Sequence, residues 1–407
     1  MAKSHIITGL DIGSDTIKIL VAQKKFKEEN FEVLAFAEEV SSGIRKGVVI
    51  NPFEVTEILK KLLEKINSVY PAKKIISNGV YVNVGGGHIF STSSHGLVSV
   101  SRADQKISAE DIDRVLQAAQ TFSLPPNREV LDVFPKEFIV DGERGLKEII
   151  DLQGVRLEAE VLVLGGFAPY LKNLTTAVLN SGLQINDLIF SPLASARAVL
   201  SPKEKELGVA VLDIGTGTTG LAIFEEGDLV HLNILPVGSG HISNDIAIGL
   251  KIDIDLAEKI KLEFGTLSFQ GGDKKEKIKL GEEEVLVFSR KQLSKIIQYR
   301  ISEIFKEINK ELKKISKQQS LPSGFVLTGG GSKLPKIKEM AKKEFRLPCR
   351  VGTIQGFSPS QDDSRMSTVC GLVLKGADSE EIDWSGFSAS GKGFFGKIKK
   401  IFKTFIP

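Results

Sequence analysis

Apolar and polar positions follow the same order in two stretches of the chain that lie about 200 residues apart. In the first stretch a polar turn, residues 24–30, separates the apolar runs 17–22 and 31–37. In the second stretch the polar turn 225–228 separates the apolar runs 221–224 and 229–235. Apolar runs of this length, broken by short polar turns, predict antiparallel strands joined as a meander. Together with a strand that ends at the motif described next, the pattern therefore predicts two similar three-stranded units.

A shared motif stands at the start of each unit. The first copy reads Leu10-Asp11-Ile12-Gly13-Ser14-Asp15-Thr16, and the second reads Leu212-Asp213-Ile214-Gly215-Thr216-Gly217-Thr218, an offset of 202 residues. A match of a few residues can arise by chance, but a matched meander after both copies favours internal duplication.

The residue types in this motif suit the binding of phosphate groups. An aspartate at a strand end can hold Mg²⁺ or its water ligands, and the glycine two residues later lets backbone N–H groups approach phosphate oxygens. Hydroxyl groups and one lysine add donors, from Ser14, Thr16, Thr216, Thr218, Thr219 and Lys18. Two such hairpins facing each other predict a clamp for the phosphates of a nucleotide.

Three glycine-rich segments, the first of which overlaps the second motif, call for a separate interpretation. Residues 215–220 match G-x-G-x-x-G, but a strand follows them, whereas the dinucleotide-binding fingerprint requires a helix there. Residues 328–331, Thr-Gly-Gly-Gly, lie between an apolar run and a helical pattern; such a turn either lets a base or ribose lie against the backbone or merely joins strand to helix. Gly85-Gly86-Gly87 favours a subdomain junction over a further phosphate loop.

The C-terminal residues form a pattern of their own. Residues 376–393 are small, polar and rich in glycine, which predicts a flexible linker. In residues 394–407 the apolar positions trace one stripe at the helical period, with lysines on the opposite face. Phenylalanine and isoleucine opposite lysine are typical of a helix lying at an anionic membrane surface, although a helix docked on the protein core is the alternative. The predicted membrane-contacting residues are Phe394, Phe395, Lys397, Ile398, Lys399, Lys400, Ile401, Phe402, Lys403, Phe405 and Ile406.

Charge is distributed unevenly along the 407 residues. The formal net charge is +3, but residues 391–407 contain five lysines and no acidic residue, which leaves −2 on the remainder. A weakly acidic body argues against nucleic-acid binding. The composition, 42% hydrophobic and 26% charged with two cysteines, is that of a globular protein from a reducing compartment.

The two phosphate motifs followed by the Thr-Gly-Gly-Gly turn resemble the actin, heat-shock chaperone and sugar kinase ATPase superfamily. Within it, residues 188–196 and 206–208, Gly154-Val155-Arg156, residues 257–261 and the basic amphipathic tail resemble the bacterial FtsA family of cell-division proteins. The resemblance runs along essentially the whole chain. It implies an α/β fold of two actin-like lobes with duplicated mixed sheets, an inserted subdomain in lobe 1 and a C-terminal amphipathic helix.

The resemblance also implies a domain order. Lobe 1 would comprise residues 1–84 and 162–200, with 352–375 returning to it, and the insert would occupy 85–161. Lobe 2 would span 201–351, with an outer subdomain at about 236–300, followed by the linker 376–393 and the helix 394–407.

The implied ligand is ATP with Mg²⁺, held between the lobes. Asp11, Gly13, Ser14, Thr16 and Lys18 would form the first phosphate site. Asp213, Gly215, Thr216, Gly217 and Thr218 would form the second, with Asp11 and Asp213 as metal ligands. Gly329, Gly330 and Gly331 would lie against the adenosine, and Glu258 and Lys261 near its ribose or base.

The implied partners are those of a division scaffold at the cytoplasmic face of the cell membrane. They are the C-terminal peptide of FtsZ, paired with Lys291 and Arg300, other copies of the chain in a polymer, further division proteins at the insert, and anionic lipids.

Two departures from the family pattern bear on catalysis. Ser191 stands where efficient ATPases of the superfamily often have a Glu or Gln that orients the attacking water, and Gly220 stands where a second Asp is common. We therefore expect ATP binding with at most slow hydrolysis, and no catalytic residue is assigned. A sugar or acid kinase of the same superfamily and an actin-like scaffold of a pilus or secretion system are the alternatives.

Overall fold

The computed structural model describes residues 5–24, 30–69, 76, 79–120, 126–268, 274–279, 285–317, 320–358 and 363–385. The predicted amphipathic helix, residues 394–407, lies outside these ranges and stays a prediction. In the part of the chain that is described, no helix combines the length and the apolar character needed to cross a membrane.

The first predicted meander is the start of a five-stranded sheet in lobe 1. Its elements are β1 (His5–Ile12), β2 (Thr16–Lys24), β3 (Glu32–Val40), the short hairpin strands β4 (Ile44–Arg45) and β5 (Val48–Val49), α1 (Pro52–Val69) and β6 (Val80–Val84). One apolar side of α1 is buried through Val55, Ile58, Leu59, Leu62 and Ile66. This burial of a helical stripe fixes α1 on the sheet.

An inserted subdomain follows β6. It contains β7 (Phe90–Ser99), α2 (Ala109–Gln120), β8 (Arg128–Val140), β9 (Glu143–Leu146) and β10 (Arg156–Phe167), with the sheet order β7-β10-β8-β9. The boundary expected at Val161 falls inside β10, which stays paired with β7 and β8 for several residues more. The sheet of the insert therefore ends later than the sequence suggested, because β10 stays paired with β8 as far as Phe167.

The chain then returns to lobe 1 and crosses to lobe 2. The returning elements are α3 (Ala168–Asn180), β11 (Ile185–Phe190), α4 (Ser191–Val199) and α5 (Pro202–Leu207). Lobe 2 contains β12 (Val209–Ile214), β13 (Thr219–Glu225), β14 (Asp228–Leu235), α6 (Gly240–Leu250), α7 (Ile254–Phe264), β15 (Lys275–Lys279), β16 (Val285–Ser289), α8 (Arg290–Lys314), β17 (Phe325–Thr328), α9 (Ile337–Phe345) and β18 (Cys349–Val351).

The two large sheets have the same topology, which confirms the predicted duplication. The lobe 1 sheet has the order β3-β2-β1-β6-β11, and the lobe 2 sheet has the order β14-β13-β12-β17-β18. In both sheets an antiparallel meander is followed by two parallel strands. Both motif aspartates therefore stand near the end of the central strand of a sheet.

The last described helix, α10 (Ser367–Ser385), packs against β1 and against α4. It contradicts part of the predicted linker, because residues 376–385 are helical. Two glycines of this helix are packing positions, and one of them, Gly376, belongs to the predicted linker. An alanine Cβ at Gly371 would overlap the backbone of Ala194, and one at Gly376 would lie 2.6 Å from the ring of Tyr81. Glycine here lets the helix approach its neighbours closely.

Candidate functional site: a polar pocket between the two duplicated hairpins

The lobe 1 aspartate is neutralised by a lysine on the next strand. The register of β1 with β2 places Lys18 opposite Asp11, and the Lys18 Nζ lies 3.7 Å from the Asp11 Oδ2. Both residues are buried. Burial raises the pKa of Asp11, and the nearby positive charge of Lys18 opposes that rise.

Asn83 on β6 fixes the orientation of Asp11, a role that the sequence analysis did not foresee. Its Nδ2 donates to the Asp11 Oδ1 at 2.9 Å and to the Ser191 Oγ at 3.1 Å, and its Oδ1 accepts from the Ile12 N–H at 2.6 Å. Asn83 is the one polar residue in the buried strand Val80–Val84. That single polar residue in an apolar run was the available signal.

The lobe 2 aspartate is held by hydroxyl groups. Ser195 of α4 donates to the Asp213 Oδ2, and the Thr368 Oγ1 of α10 donates to the same oxygen at 3.2 Å. Burial raises the pKa of Asp213, and the negative charge of Asp11 across the pocket raises it further, while the hydroxyl contacts oppose the rise. The two carboxylates therefore face one polar space, and a cation in that space would relieve their repulsion.

Most of the predicted phosphate residues line this pocket. They are Asp11, Gly13, Ser14, Thr16, Lys18, Asp213, Gly215, Thr216, Gly217, Thr218, Gly329 and Gly330. The same turn occurs in both hairpins, where the Gly13 N–H donates to the Thr16 carbonyl at 3.2 Å and the Gly215 N–H donates to the Thr218 carbonyl at 2.9 Å. The duplication thus brings two equivalent turns together across the cleft.

Four predicted residues do not line the pocket: Gly331, Glu258, Lys261 and Thr219, whose hydroxyl donates to the Val237 carbonyl at 2.8 Å instead. Gly331 packs on the end of β12, where an alanine Cβ would lie 2.4 Å from the Ile214 side chain. Lys261 is buried, and its Nζ lies 2.7 Å from the Glu258 Oε2 and 3.4 Å from the Ser239 carbonyl. Since the Ser239 N–H donates to the Gly215 carbonyl, the pair of Glu258 and Lys261 is linked through Ser239 to the turn that begins at Gly215.

Several lining residues were not identified from the sequence. They come from separate elements and include Gly47, Asn83, Gly85, Arg365, Ser367 and Thr368. Arg365 adds a cation at the pocket edge, and Asp363 pairs with it at 2.7 Å. Ser367 and Thr368 begin α10, so the positive end of that helix points at the pocket.

The pocket suits a magnesium–nucleotide complex better than a bare metal ion. Among the described residues no group of three or more histidine, cysteine, aspartate or glutamate side chains could hold a metal. Mg²⁺ commonly uses one or two carboxylates together with phosphate oxygens and waters. Asp11 and Asp213 meet that requirement, because the remaining ligands would come from the bound phosphates.

The two residues predicted for peptide binding lie on α8 and differ in their surroundings. Lys291 is exposed near the start of the helix. Arg300 already forms two hydrogen bonds with Asp245, of 2.7 and 2.8 Å, and a third with Glu303 at 2.6 Å. Arg300 would have to leave these partners, or share them, in order to bind an acidic peptide.

Comparison with protein families identifies two segments. Residues 210–371 match the model described as cell division protein FtsA, and residues 86–164 match the SHS2 domain inserted in FTSA. The second match begins at the glycine junction and ends within β10.

Individual relatives extend the match to most of the chain. Cell division protein FtsA of Pseudomonas aeruginosa is 32% identical over 96% of this chain and 93% of its own length. The protein of the same name from Borreliella burgdorferi is 33% identical over 91% and 90%. Among solved structures, the PilM-PilN type IV pilus biogenesis complex has a TM-score of 0.65 at 17% identity, covering 91% of this chain and 98% of that chain. MreB5 of Spiroplasma citri bound to ADP has a TM-score of 0.57 at 14% identity, covering 93% and 98%. These two structures are similar to the chain in fold.

Proposed function

Because this chain belongs to the FtsA family of actin-like cell-division proteins, we propose that it binds Mg²⁺–ATP between its lobes and links the FtsZ ring to the cell membrane. In this role it polymerises at the cytoplasmic face of the membrane and recruits later division proteins through the insert. The pocket between the duplicated hairpins is the observation that carries the nucleotide part of the proposal.

The pocket would hold the phosphates from both sides. Backbone N–H groups of the two glycine turns and the hydroxyls of Ser14, Thr16, Thr216 and Thr218 supply donors, and Lys18 supplies positive charge. Mg²⁺ bound to Asp11 and Asp213 would neutralise phosphate charge. A titration of the full chain with ATP, with and without Mg²⁺, tests this part; no saturable binding would contradict it.

Hydrolysis is proposed to be slow. The Ser191 hydroxyl donates to the Val84 carbonyl at 3.2 Å and accepts from Asn83, so its hydrogen bonds are used within the protein. A Glu or Gln at this place could instead orient a water molecule. Turnover of many ATP molecules per second, abolished by Asp213→Ala, would overturn this proposal.

Membrane attachment is assigned to residues 394–407. Each lysine near an anionic surface contributes about 1 kcal/mol, and the apolar stripe adds burial in the acyl boundary. One tail is then a reversible anchor, and a polymer of tails binds far more tightly.

The anchor is tested by co-sedimentation of the protein with anionic liposomes. Phe402→Glu should release the protein from the vesicles and leave ATP binding intact. Thr404→Glu is the matched control, because it makes the same change of charge on the polar side of the stripe. Equal release by both variants, or by neither, would contradict the anchor.

The same assay tests recruitment of FtsZ. Vesicles carrying the full chain and ATP should bring down FtsZ, and a chain lacking residues 391–407 should not. Lys291→Glu should weaken recruitment, whereas Lys306→Glu, on the same helix and about 22 Å away along its axis, should not. Unchanged recruitment of FtsZ by Lys291→Glu would show that Lys291 is not part of the peptide site.

The pilus-type scaffold is the second candidate, since the PilM-PilN structure shares the fold. The sequence identity to that structure is 17%, whereas the identity to the FtsA relatives is 32% to 33% over nine-tenths of the chain. Failure to recruit FtsZ despite an intact tail would favour the pilus-type scaffold.

A further inference from the structure

The β4–β5 hairpin lies at the mouth of the phosphate pocket. Lys46 and Gly47 form its turn, with φ of 50° and 74°. Gly47 lines the pocket, and its N–H donates to the Ser14 Oγ at 2.8 Å. With that oxygen already accepting, the Ser14 proton is available to donate to a phosphate oxygen.

The hairpin also contacts the phosphate turn of lobe 2. An alanine Cβ at Gly47 would lie 3.0 Å from the Thr218 Cγ2, and one at Gly217 would lie 3.2 Å from the Lys46 Cα. There is no room for a side chain at either glycine. The hairpin turn is therefore packed against both phosphate turns.

On its other side the hairpin packs against the start of the insert. An alanine Cβ at Gly47 would lie 2.9 Å from the Gly86 nitrogen, and one at Gly86 would lie 2.6 Å from the Val48 Cγ2. Gly86 has a φ of 98°. It belongs to the glycine junction, residues 85–87, through which the chain enters the insert.

The entry and exit of the insert are joined at one side chain. The Phe167 N–H, at the end of β10, donates to the His88 Nδ1 at 3.1 Å. Gly87, which precedes His88, packs on lobe 2: an alanine Cβ at Gly87 would lie 3.1 Å from Pro236. A displacement of the glycine junction would therefore move both chain connections of the insert.

We propose that the β4–β5 hairpin couples phosphate occupancy of the pocket to the glycine junction of the insert. The coupling rests on the proposed nucleotide function. A phosphate that accepts from Ser14 fixes the Ser14 hydroxyl, and through it the Gly47 N–H and the hairpin. Because Gly47 and Val48 are in close contact with Gly86, the ordered hairpin restricts the junction, and closely packed contacts transmit such a restriction.

Amide hydrogen exchange of the full chain, with and without Mg²⁺–ATP, tests the coupling. ATP should slow exchange in residues 44–50 and in the junction, residues 85–89, by at least about threefold. Gly86→Ala should abolish the slowing at the junction while the slowing in residues 11–17 persists. Gly142→Ala is the matched control, because its φ of 93° is similar and nothing lies within 4 Å of the added Cβ.

Val48→Ala covers the case in which Gly86→Ala does not fold. It removes the methyl group that meets Gly86 and should reduce the ATP effect at the junction. Slowing at the junction that survives both substitutions would overturn the proposal, as would its absence in the unsubstituted chain when residues 11–17 respond. If residues 11–17 do not respond and a titration finds no ATP binding, the nucleotide function itself has failed.

Discussion

The two hairpins that carry Asp11 and Asp213 have the same hydrogen-bonded turn and different residues opposite their aspartates. In lobe 1 the residue opposite Asp11 is Lys18, and in lobe 2 the residue opposite Asp213 is Gly220. These positions are also equivalent in the sequence repeat, since both pairs are related by 202 residues. One hairpin therefore carries its own positive charge and the other does not.

The difference follows from what packs on each hairpin. A Cβ at Gly220 would lie 2.6 Å from the Pro192 Cγ, so α4 occupies the space that a side chain would need. Gly220 is thus required by packing, which gives a structural reason for its departure from the family pattern. Asp213 is left with hydroxyl partners, and we expect an external cation to be drawn to it more strongly than to Asp11.

The largest effect is expected when lobe 1 loses its internal cation. Lys18→Met leaves Asp11 buried beside a neutral side chain, and breaking such a pair costs about 3–5 kcal/mol of unfolding free energy. Urea unfolding at neutral pH without nucleotide measures it. Lys60→Met removes an exposed pair with Glu57 and should cost about 0–1 kcal/mol. Similar losses in the two variants would show that Asp11 does not depend on Lys18.

A smaller loss is expected when the glycine of lobe 2 receives a side chain. Gly220→Ala forces its Cβ against Pro192 and should cost about 1–3 kcal/mol of unfolding free energy, as overpacking usually does. Gly330→Ala serves as the control, because the nearest atom to its Cβ would be the Arg365 Cγ at 3.7 Å. If Gly220→Ala leaves the unfolding free energy unchanged, packing does not explain the missing side chain at this position.

The fold was more predictable from the sequence than the site was. Each predicted phosphate turn is a local motif, so both could be recognised along the chain. Asn83 and Thr368 bond to the motif aspartates from 72 and 155 residues away, and such partners leave no local pattern. The prediction for residues 376–385 was wrong, because Gly376, which suggested flexibility, is a glycine that lets the helix pack closely.

A third prediction concerns the dependence of ATP binding on Mg²⁺. Asp213→Asn should reduce the Mg²⁺-dependent gain in ATP affinity by at least about tenfold, or about 1.4 kcal/mol. Asp11→Asn should reduce it less, because Lys18 already compensates Asp11. Calorimetric titrations with and without Mg²⁺ measure both. Equal losses would mean that the two aspartates share the metal evenly and that the asymmetry has no role in binding.

The smallest effect is a change in how stability depends on pH. Burial raises the pKa of Asp213 above its ordinary value of 3.8, so the folded chain binds this proton more tightly than the unfolded chain does. The folded state therefore loses stability as pH rises from 3.8 through the raised pKa. Asp213→Asn removes that loss, so its unfolding free energy relative to the unsubstituted chain should increase with pH across this window.

Chemical unfolding in metal-free buffer, from about pH 4 to pH 8, measures this difference. Asp11→Asn extends the comparison, since burial raises the pKa of Asp11 too while Lys18 opposes the rise. Asp11→Asn also removes the partner of Lys18. Its unfolding free energy, relative to the unsubstituted chain, should therefore increase less at high pH than that of Asp213→Asn. A larger gain for Asp11→Asn would reverse the assignment and make lobe 1 the hairpin that needs the external cation.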